Sequence, residues 1–514
     1  MKLTLEGLND TSAWENAGVK LPGFDIDDIK KNTYDRPFWI HFGAGNIFRA
    51  FQARCVQNLL NSGDLDAGLV CAEGFDYQII DKINYPYDNL SLVATLKGSG
   101  DIDLEVVASV TESLKLDANH IDMERLKAIF SKESLQMVTF TITEKGYAPS
   151  KYMENVMSLL LHRYNQGALP IAMVSMDNCS HNGDKLKAMA LHFAEKWIAE
   201  GKTDSGYMDY ITGDKVSFPW TMIDKITPRP DESVMKMLSD KGIEDMAPVI
   251  TDMNTYVAPF VNAEECEYLV IEDSFPNGRP ELEKAGFIFT DRETVDKVER
   301  MKVCTCLNPL HTCLAIYGCL LGFTKISEEM KDSDLRTMVE IIGHKEGMPV
   351  VTDPGVISPE SFLSDVLNER IPNPFMPDTP QRIATDTSQK LPIRFGETVK
   401  RYIESDTLNV NDLKLIPLVY AGWIRYLMGI DDNGNEFTPS SDPMLESLKP
   451  ITCKLQLGNN TDNASVLETL LHDSSIWGVD LFEAGLAETV LTNFALLNEG
   501  KGSIRNTIHN FVTK

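Results

Sequence analysis

Positive charge is in short supply in this chain. Its 514 residues include 48 lysines and arginines against 76 aspartates and glutamates, a formal net charge of −28. Such a shell repels polyanions, so neither nucleic acid nor an anionic membrane surface is expected as a partner. Histidine is sparse too. The nine histidines are dispersed, none lies in HExxH, and Cys304-x-Cys306 has no second pair at ligand spacing. No metal site is expected, and zinc-assisted alcohol chemistry lacks its ligands. The nine cysteines are odd in number and scattered, which points to reduced thiols and a cytoplasmic location. The opening MKLTLEGLND lacks the apolar run of a signal peptide. No apolar stretch is expected to reach transmembrane length. With no P-loop and no GxSxG, phosphoryl transfer and ester hydrolysis lose their usual anchors.

What is present is a chain too long for one ordinary core, so two domains are expected. Hydrophobic content of 43% and charged content of 24% are those of a globular protein. Phe38 to Phe42 reads as a buried strand. Gly43-Ala44-Gly45 reads as a turn, and Asn46 onward as a helix with Phe48, Phe51, Cys55 and Leu59 at helical spacing. A second strand, Gly68 to Ala72, ends at Glu73. This is a β-α-β unit of the dinucleotide-binding kind. Its cofactor-facing stretch is Phe42, Gly43, Ala44, Gly45, Asn46, Ile47, Phe48 and Arg49, with Phe48 where the generic pattern has a third glycine. Glu73 at the strand end suits a ribose 2′-hydroxyl and disfavours a 2′-phosphate, so NAD is the expected cofactor, with Asp76 as the fallback acid. A purely structural turn explains the same glycines. The strand Met137 to Ile142 runs into Thr143-Glu-Lys-Gly-Tyr147. Ligands bind outside the carboxyl ends of such strands, which places Thr143 near the cofactor. The strand Ile171 to Ser175 ends in the polar run Asp177-Asn178-Cys179-Ser180-His181-Asn182, either a second site or an ordinary turn and cap.

Beyond about residue 292 the pattern becomes mostly helical, which divides the chain into 1–292 and 293–514. At the start of the second part, KVCTCLNPLH (302–311) gathers an amine, an amide and an imidazole ahead of an apolar run to Phe323. Asn308 is expected as the N-cap and Pro309 as the first residue of a new, buried helix. Lys302, Asn308 and His311 converging there would make a proton-transfer site. A solvated lysine, a capping asparagine and a core histidine account for the same residues. Further on, Lys390 and Arg394 are close enough to hold a carboxylate, or simply to charge a helix start.

Six segments stand in one order: HFGAGNIFRAF (41–51), TITEKGY (141–147), SMDNCSHNG (175–183), FPWTMIDKITP (218–228), VIEDSFPNGRP (270–280) and MKVCTCLNPLH (301–311). Together they resemble the polyol-specific long-chain dehydrogenase/reductase family, which includes mannitol 2-dehydrogenase, fructuronate reductase and tagaturonate reductase. The resemblance implies an α/β fold: an N-terminal Rossmann-type dinucleotide-binding domain, a mostly α-helical C-terminal domain, and a cleft between them. It also implies metal-independent hydride transfer to NAD from a secondary alcohol. The family's base matches Lys302, its alkoxide-orienting amides match Asn178 and Asn308, and its hydroxyl-binding histidine matches His311. Asp224 matches an acid of the substrate pocket. Two departures stand out. Five residues separate Lys302 from Asn308 where the family usually has four, and Pro309 replaces a small residue. A sugar acid, D-mannonate/D-fructuronate, is the expected substrate, on Lys390, Arg394 and the likeness of residues 373–395 to uronate reductases. A mannitol-type polyol dehydrogenase is the near alternative. A non-catalytic NAD-binding sensor and a sugar-phosphate dehydrogenase are the more distant ones.

Overall fold

In the computed structural model, which describes residues 1–513, the chain divides into two compact units. The first comprises 1–97 and 101–296, the second 98–100 and 297–514.

The first unit is built on a parallel sheet of β1 (Trp39–Phe42), β2 (Leu69–Glu73), β3 (Val110–Lys115), β4 (Met137–Phe140), β5 (Ile171–Ser175) and β6 (Val216–Ser217), in spatial order β3-β2-β1-β4-β5-β6. This is the doubly wound dinucleotide-binding order, with its crossover beside β1. The strands are apolar along both faces because both faces are covered. Trp39, Leu69, Cys71, Met137, Ala172 and Val174 enter one buried cluster. Ile40, Phe42, Val70, Ala72, Val138, Phe140, Ile171 and Met173 alternate into the other. The first helix after β1 opens with a π-turn, Phe48–Gln52, and continues as α1 (Ala53–Ser62). The helix after β5 is α2 (Asn182–Ala199). Three smaller sheets complete the unit, the least of them the pair Val249–Ile250 and Tyr256–Val257. One has four strands, among them Ser91–Leu96 and Phe260–Glu264, and another has three, with Thr221–Asp224 at one edge.

The second unit is helical. Its core begins part-way along α3 (Arg292–Met301) and continues through a π-turn at Lys302–Cys306 into α4 (Asn308–Leu321). This run of 30 residues corrects the expectation about apolar length. It is long and apolar enough to cross a bilayer by length and composition alone, but 72% of its apolar window is buried inside the protein. Later helices are α5 (Leu415–Leu427) and α6 (Ser503–Val512). The N-termini of both are fastened by distant carboxylates. Glu346 accepts the amides of Lys414, Leu415 and Ile416 at 2.7–2.8 Å. Asp432 accepts those of Ile504 and Arg505 at 2.9 and 3.4 Å.

One buried group ties the fold of the first unit to pH. His41 on β1 lies between two threonine hydroxyls, Nδ1 2.6 Å from Thr139 and Nε2 2.8 Å from Thr141. Thr139 also accepts the indole N–H of Trp39 at 2.7 Å. The threonine proton then goes to Nδ1, which leaves the imidazole hydrogen on Nε2. Burial lowers the His41 pKa to about 3. The folded chain keeps this base neutral, whereas the unfolded chain protonates it near pH 6.5. Stability is therefore complete above pH 6.5 and declines as pH falls toward 3, by about 1.4 kcal/mol per unit. Urea midpoints measured at pH 7 and pH 5 should show His41→Asn losing about 2 kcal/mol less than the wild type over that interval.

Candidate active site

At the carboxyl end of β1 the chain turns through Gly43, whose φ of 112° favours glycine. Its N–H donates to the Ala72 carbonyl at 2.8 Å. A Cβ there would stand 2.4 Å from the carbonyl oxygen of Thr141, so any side chain would push β4 away. Gly45, by contrast, faces open space, with nothing within 4 Å of an added Cβ. Beside it the Asn46 Oδ1 is buried without a hydrogen-bond partner among the described residues. A tight turn, an open approach and an unused acceptor at a helix start fit the pyrophosphate end of a dinucleotide. Glu73 stands at the end of β2 and is only 5% exposed. Its carboxylate accepts the amides of Ala44 at 2.9 Å, Phe75 at 2.7 Å and Asp76 at 3.1 Å. The same carboxylate thus fastens the glycine turn. Asp76 is buried and accepts the Thr251 hydroxyl.

The expected cofactor stretch needs correction at its two ends. The side chains of Phe42 and Phe48 are turned inward, Phe42 stacking on Phe140 and Phe48 on His41. Arg49 is buried, and its guanidinium donates to Ser91 Oγ and to the carbonyls of Ala258 and Pro259 at 2.8–2.9 Å. It anchors the turn to the four-stranded sheet. Ala44 is buried and Ile47 half-buried.

The ends of β4 and β5 form the next layer. Thr143 has φ 64° and ψ 159°, and its N–H is held by Asp177 at 2.8 Å. Asn178 follows Asp177 and is exposed at the strand end. Asn182 staples this loop to the three-stranded sheet, donating to the Asp177 carbonyl and exchanging bonds with Thr221. Asp224 is buried at the end of its strand. Its neighbour Lys225 is structural: it is buried and donates to the Glu264 carbonyl and to Glu267.

In the second unit the observed helix differs from the expected one. Asn308 is not the cap: Leu307 occupies that position, Asn308 opens α4 and Pro309 follows. The helix first widens and then breaks at Leu307, whose φ of −125° and ψ of −61° lie outside the helical region. Leu307 N–H bonds the Lys302 carbonyl at 3.1 Å, five residues back, across the π-turn. A π-turn holds one residue more than an α-turn. The wide turn thus takes up one residue between Lys302 and Asn308. This accommodates the extra residue between lysine and asparagine. Lys302 is 5% exposed.

His311, one turn into α4, is half-buried, with Nε2 3.4 Å from Asp378. Burial lowers its pKa to about 3, assisted by the charges of Arg394, Arg382, Arg370 and Lys390. Arg394 lies on a π-turn, Pro392–Gly396, and its guanidinium donates to the Thr312 hydroxyl and to the Asn308 carbonyl at 3.4 Å. It therefore points at the start of α4 instead of solvent, and burial lowers its pKa to about 10. Lys390 donates to the carbonyls of Ile383 and Thr385. Burial and the Arg394 charge lower its pKa to about 8. Reading from the sequence took Asp177 only as part of a polar run and missed Arg370 and the Asp378–Arg382 pair. These charges lie between residues 370 and 382, just ahead of Lys390, and a count of charges there would have found them.

Residues 38–284 match the mannitol dehydrogenase Rossmann domain and residues 294–497 the mannitol dehydrogenase C-terminal domain. The chain belongs to the mannitol dehydrogenase family. A D-mannonate oxidoreductase from Thermotoga maritima is 49% identical, over 100% of this chain and 99% of its own. A polyol:NADP oxidoreductase of Gluconobacter oxydans is 28% identical, over 85% and 88%. Among solved structures, the ternary complex of Pseudomonas fluorescens mannitol 2-dehydrogenase with NAD and D-mannitol has a TM-score of 0.69 at 25% identity, covering both chains fully. Within this family the wide turn at Lys302–Cys306 makes a specific prediction. Deleting Cys304 should convert the π-turn to an α-turn and leave a folded enzyme within about tenfold of wild-type kcat/KM. Inserting one alanine at the same place should cost more than a hundredfold. Circular dichroism and a dehydrogenase assay on both variants check this.

Proposed function

We propose that this chain is an NAD-dependent, metal-independent oxidoreductase that interconverts D-mannonate and its keto form, D-fructuronate. The observation that carries the substrate class is the Arg394 guanidinium seated on the first turn of α4, beside a His311 that feels four cations. A sugar carboxylate would answer that charge, and Arg394 can take it in a bidentate mode while Lys390 adds a point charge. Identity of 49% to a D-mannonate oxidoreductase across the full length supports the same class.

Bound NAD supplies the hydride acceptor. Gly43, Ala44, Gly45, Asn46 and Ile47 provide the turn for its pyrophosphate, Glu73 the acid for its ribose, and Thr143 the loop beyond β4. Lys302 takes the proton of the reacting alcohol as hydride departs. The amides of Asn178 and Asn308 donate to the alkoxide as its charge develops. His311 stays neutral throughout the working pH range. The Asp378 carboxylate favours a hydrogen on Nε2, which leaves Nδ1 to accept from a substrate hydroxyl. Asp224 accepts from another.

The deciding experiment is NADH formation with D-mannonate and D-mannitol side by side, repeated on Lys302→Ala and Arg394→Ala. Turnover of mannonate is expected, falling at least a thousandfold in Lys302→Ala. In Arg394→Ala the KM for mannonate should rise at least tenfold. Preferred turnover of mannitol would move the enzyme to the polyol branch, and activity surviving in Lys302→Ala would remove the lysine from the mechanism. The KM for mannonate should also climb as pH passes about 8, where Lys390 loses its charge, and Lys390→Met should abolish that dependence.

A further inference from the structure

The Asp177 carboxylate spans the ends of two neighbouring strands. Oδ2 accepts the Ile142 amide at 2.9 Å and the Tyr147 hydroxyl at 2.6 Å, and Oδ1 accepts the Thr143 amide at 2.8 Å. Tyr147 is fixed in turn by Ser175 Oγ at 2.6 Å. The three donors come from the loop after β4, and the carboxylate from the loop after β5. The residue so held is strained. At φ 64° and ψ 159°, Thr143 occupies a region open to glycine and disfavoured for a β-branched side chain. Hydrogen bonds to an ionised acceptor are about twice as strong as neutral ones, enough to hold such a conformation. No positively charged side chain bonds the Asp177 carboxylate among the described hydrogen bonds. Its acceptor capacity is directed at backbone amides and one phenol.

We propose that Asp177 is a positioning residue. It holds Thr143 in its strained conformation and thereby shapes the loop against which the nicotinamide half of the cofactor binds. The inference rests on the NAD-dependent reading above. It adds a residue that touches neither cofactor nor substrate and acts through Thr143. Asp177 is also the residue immediately before Asn178, so the same clamp sets where that amide leaves β5.

An asparagine at 177 keeps the shape but turns an NH2 toward one of the two loop amides. A glycine at 143 takes the same φ and ψ freely. The two substitutions therefore form a cycle that reads strain. The measurement is NADH affinity by fluorescence titration, with the KM for NAD and for mannonate and the thermal unfolding temperature without nucleotide. The proteins are wild type, Asp177→Asn, Thr143→Gly and the double variant. Asp177→Asn should weaken NADH binding and raise the KM for NAD at least tenfold, with a smaller change in the KM for mannonate. In the Thr143→Gly background the same exchange should cost less than threefold. Equal losses in both backgrounds would overturn the inference, because Asp177 would then not act through the strain at Thr143. Failure of both 177 variants to fold would overturn it too, by assigning the carboxylate to folding itself. If the wild type binds no NADH, the NAD-dependent reading fails and the proposed ligand of the loop fails with it. A wild type that binds NADH but shows no coupling removes only the role of Asp177.

Discussion

A buried helix cannot gain a residue without turning everything beyond it by about 100°. The second unit depends on how this chain meets that constraint. Its run from Arg292 to Leu321 carries an amine, an amide and an imidazole on opposite sides of an extra residue, and packing on nearly every side forbids the helix to rotate. The π-turn at Lys302–Cys306 absorbs the insertion locally. The wide turn leaves α4 in place, so Leu310, Leu314, Tyr317 and their neighbours stay buried. The same device recurs where other candidate groups sit: Phe48–Gln52 follows the glycine turn, and Pro392–Gly396 carries Arg394. In each case the helix widens, with no loop added.

A second economy is the use of acids as backbone fasteners. Glu73, Asp177, Glu346 and Asp432 are each buried and each accept two or three main-chain amides. Two of these serve helix starts in the second unit. The other two hold the turns at the carboxyl ends of the parallel strands, where a dinucleotide would lie. Charge-assisted bonds to several amides oppose the desolvation that burial imposes on such a carboxylate. For Asp177, burial raises the pKa, while the Tyr147 hydroxyl and the two loop amides pull the other way. Part of the acidity of this chain is therefore internal architecture, distinct from the surface charge that sets solubility.

The central sheet was legible because its physics is local. Strands covered on both faces read as unbroken apolar runs, and β1, β2, β4 and β5 do so. The glycine turn and the acid at the end of β2 punctuate the first βαβ unit as any dinucleotide-binding unit must. The smaller sheets were less legible: no strand was expected at Thr221–Asp224, because its pairing with Tyr268–Glu272 spans more than forty residues. The π-turns were invisible to a search for 3.6-residue periodicity, which is why Asn308 was read as a cap. Asp177 was hidden for a different reason. An aspartate at a strand end is an ordinary turn residue, and only the positive φ of Thr143, which no sequence pattern reveals, shows what it holds. The cations around His311 come from positions 59 to 83 residues downstream and meet only in the fold.

Those cations also bear on which substrate the site would accept. Around a neutral His311 lie Arg370, Arg382, Lys390 and Arg394, answered by Asp378 beside His311 and Arg382 and by Asp386 and Asp442 near Lys390. Two of the four are depressed in pKa by their surroundings, Arg394 by burial and Lys390 by burial and by Arg394, so the protein bears the cost of holding positive charge out of water. A neutral polyol would bring hydroxyls to this region and leave that cost uncompensated. A hexonate brings one full negative charge and recovers it as charge-assisted hydrogen bonds. In a chain that is otherwise strongly acidic, a long-range field would repel a sugar acid, and only a local surplus can reverse it over a few ångströms, within the screening length of physiological salt. That surplus can discriminate a carboxylate from a hydroxymethyl group at one end of an otherwise identical carbon chain.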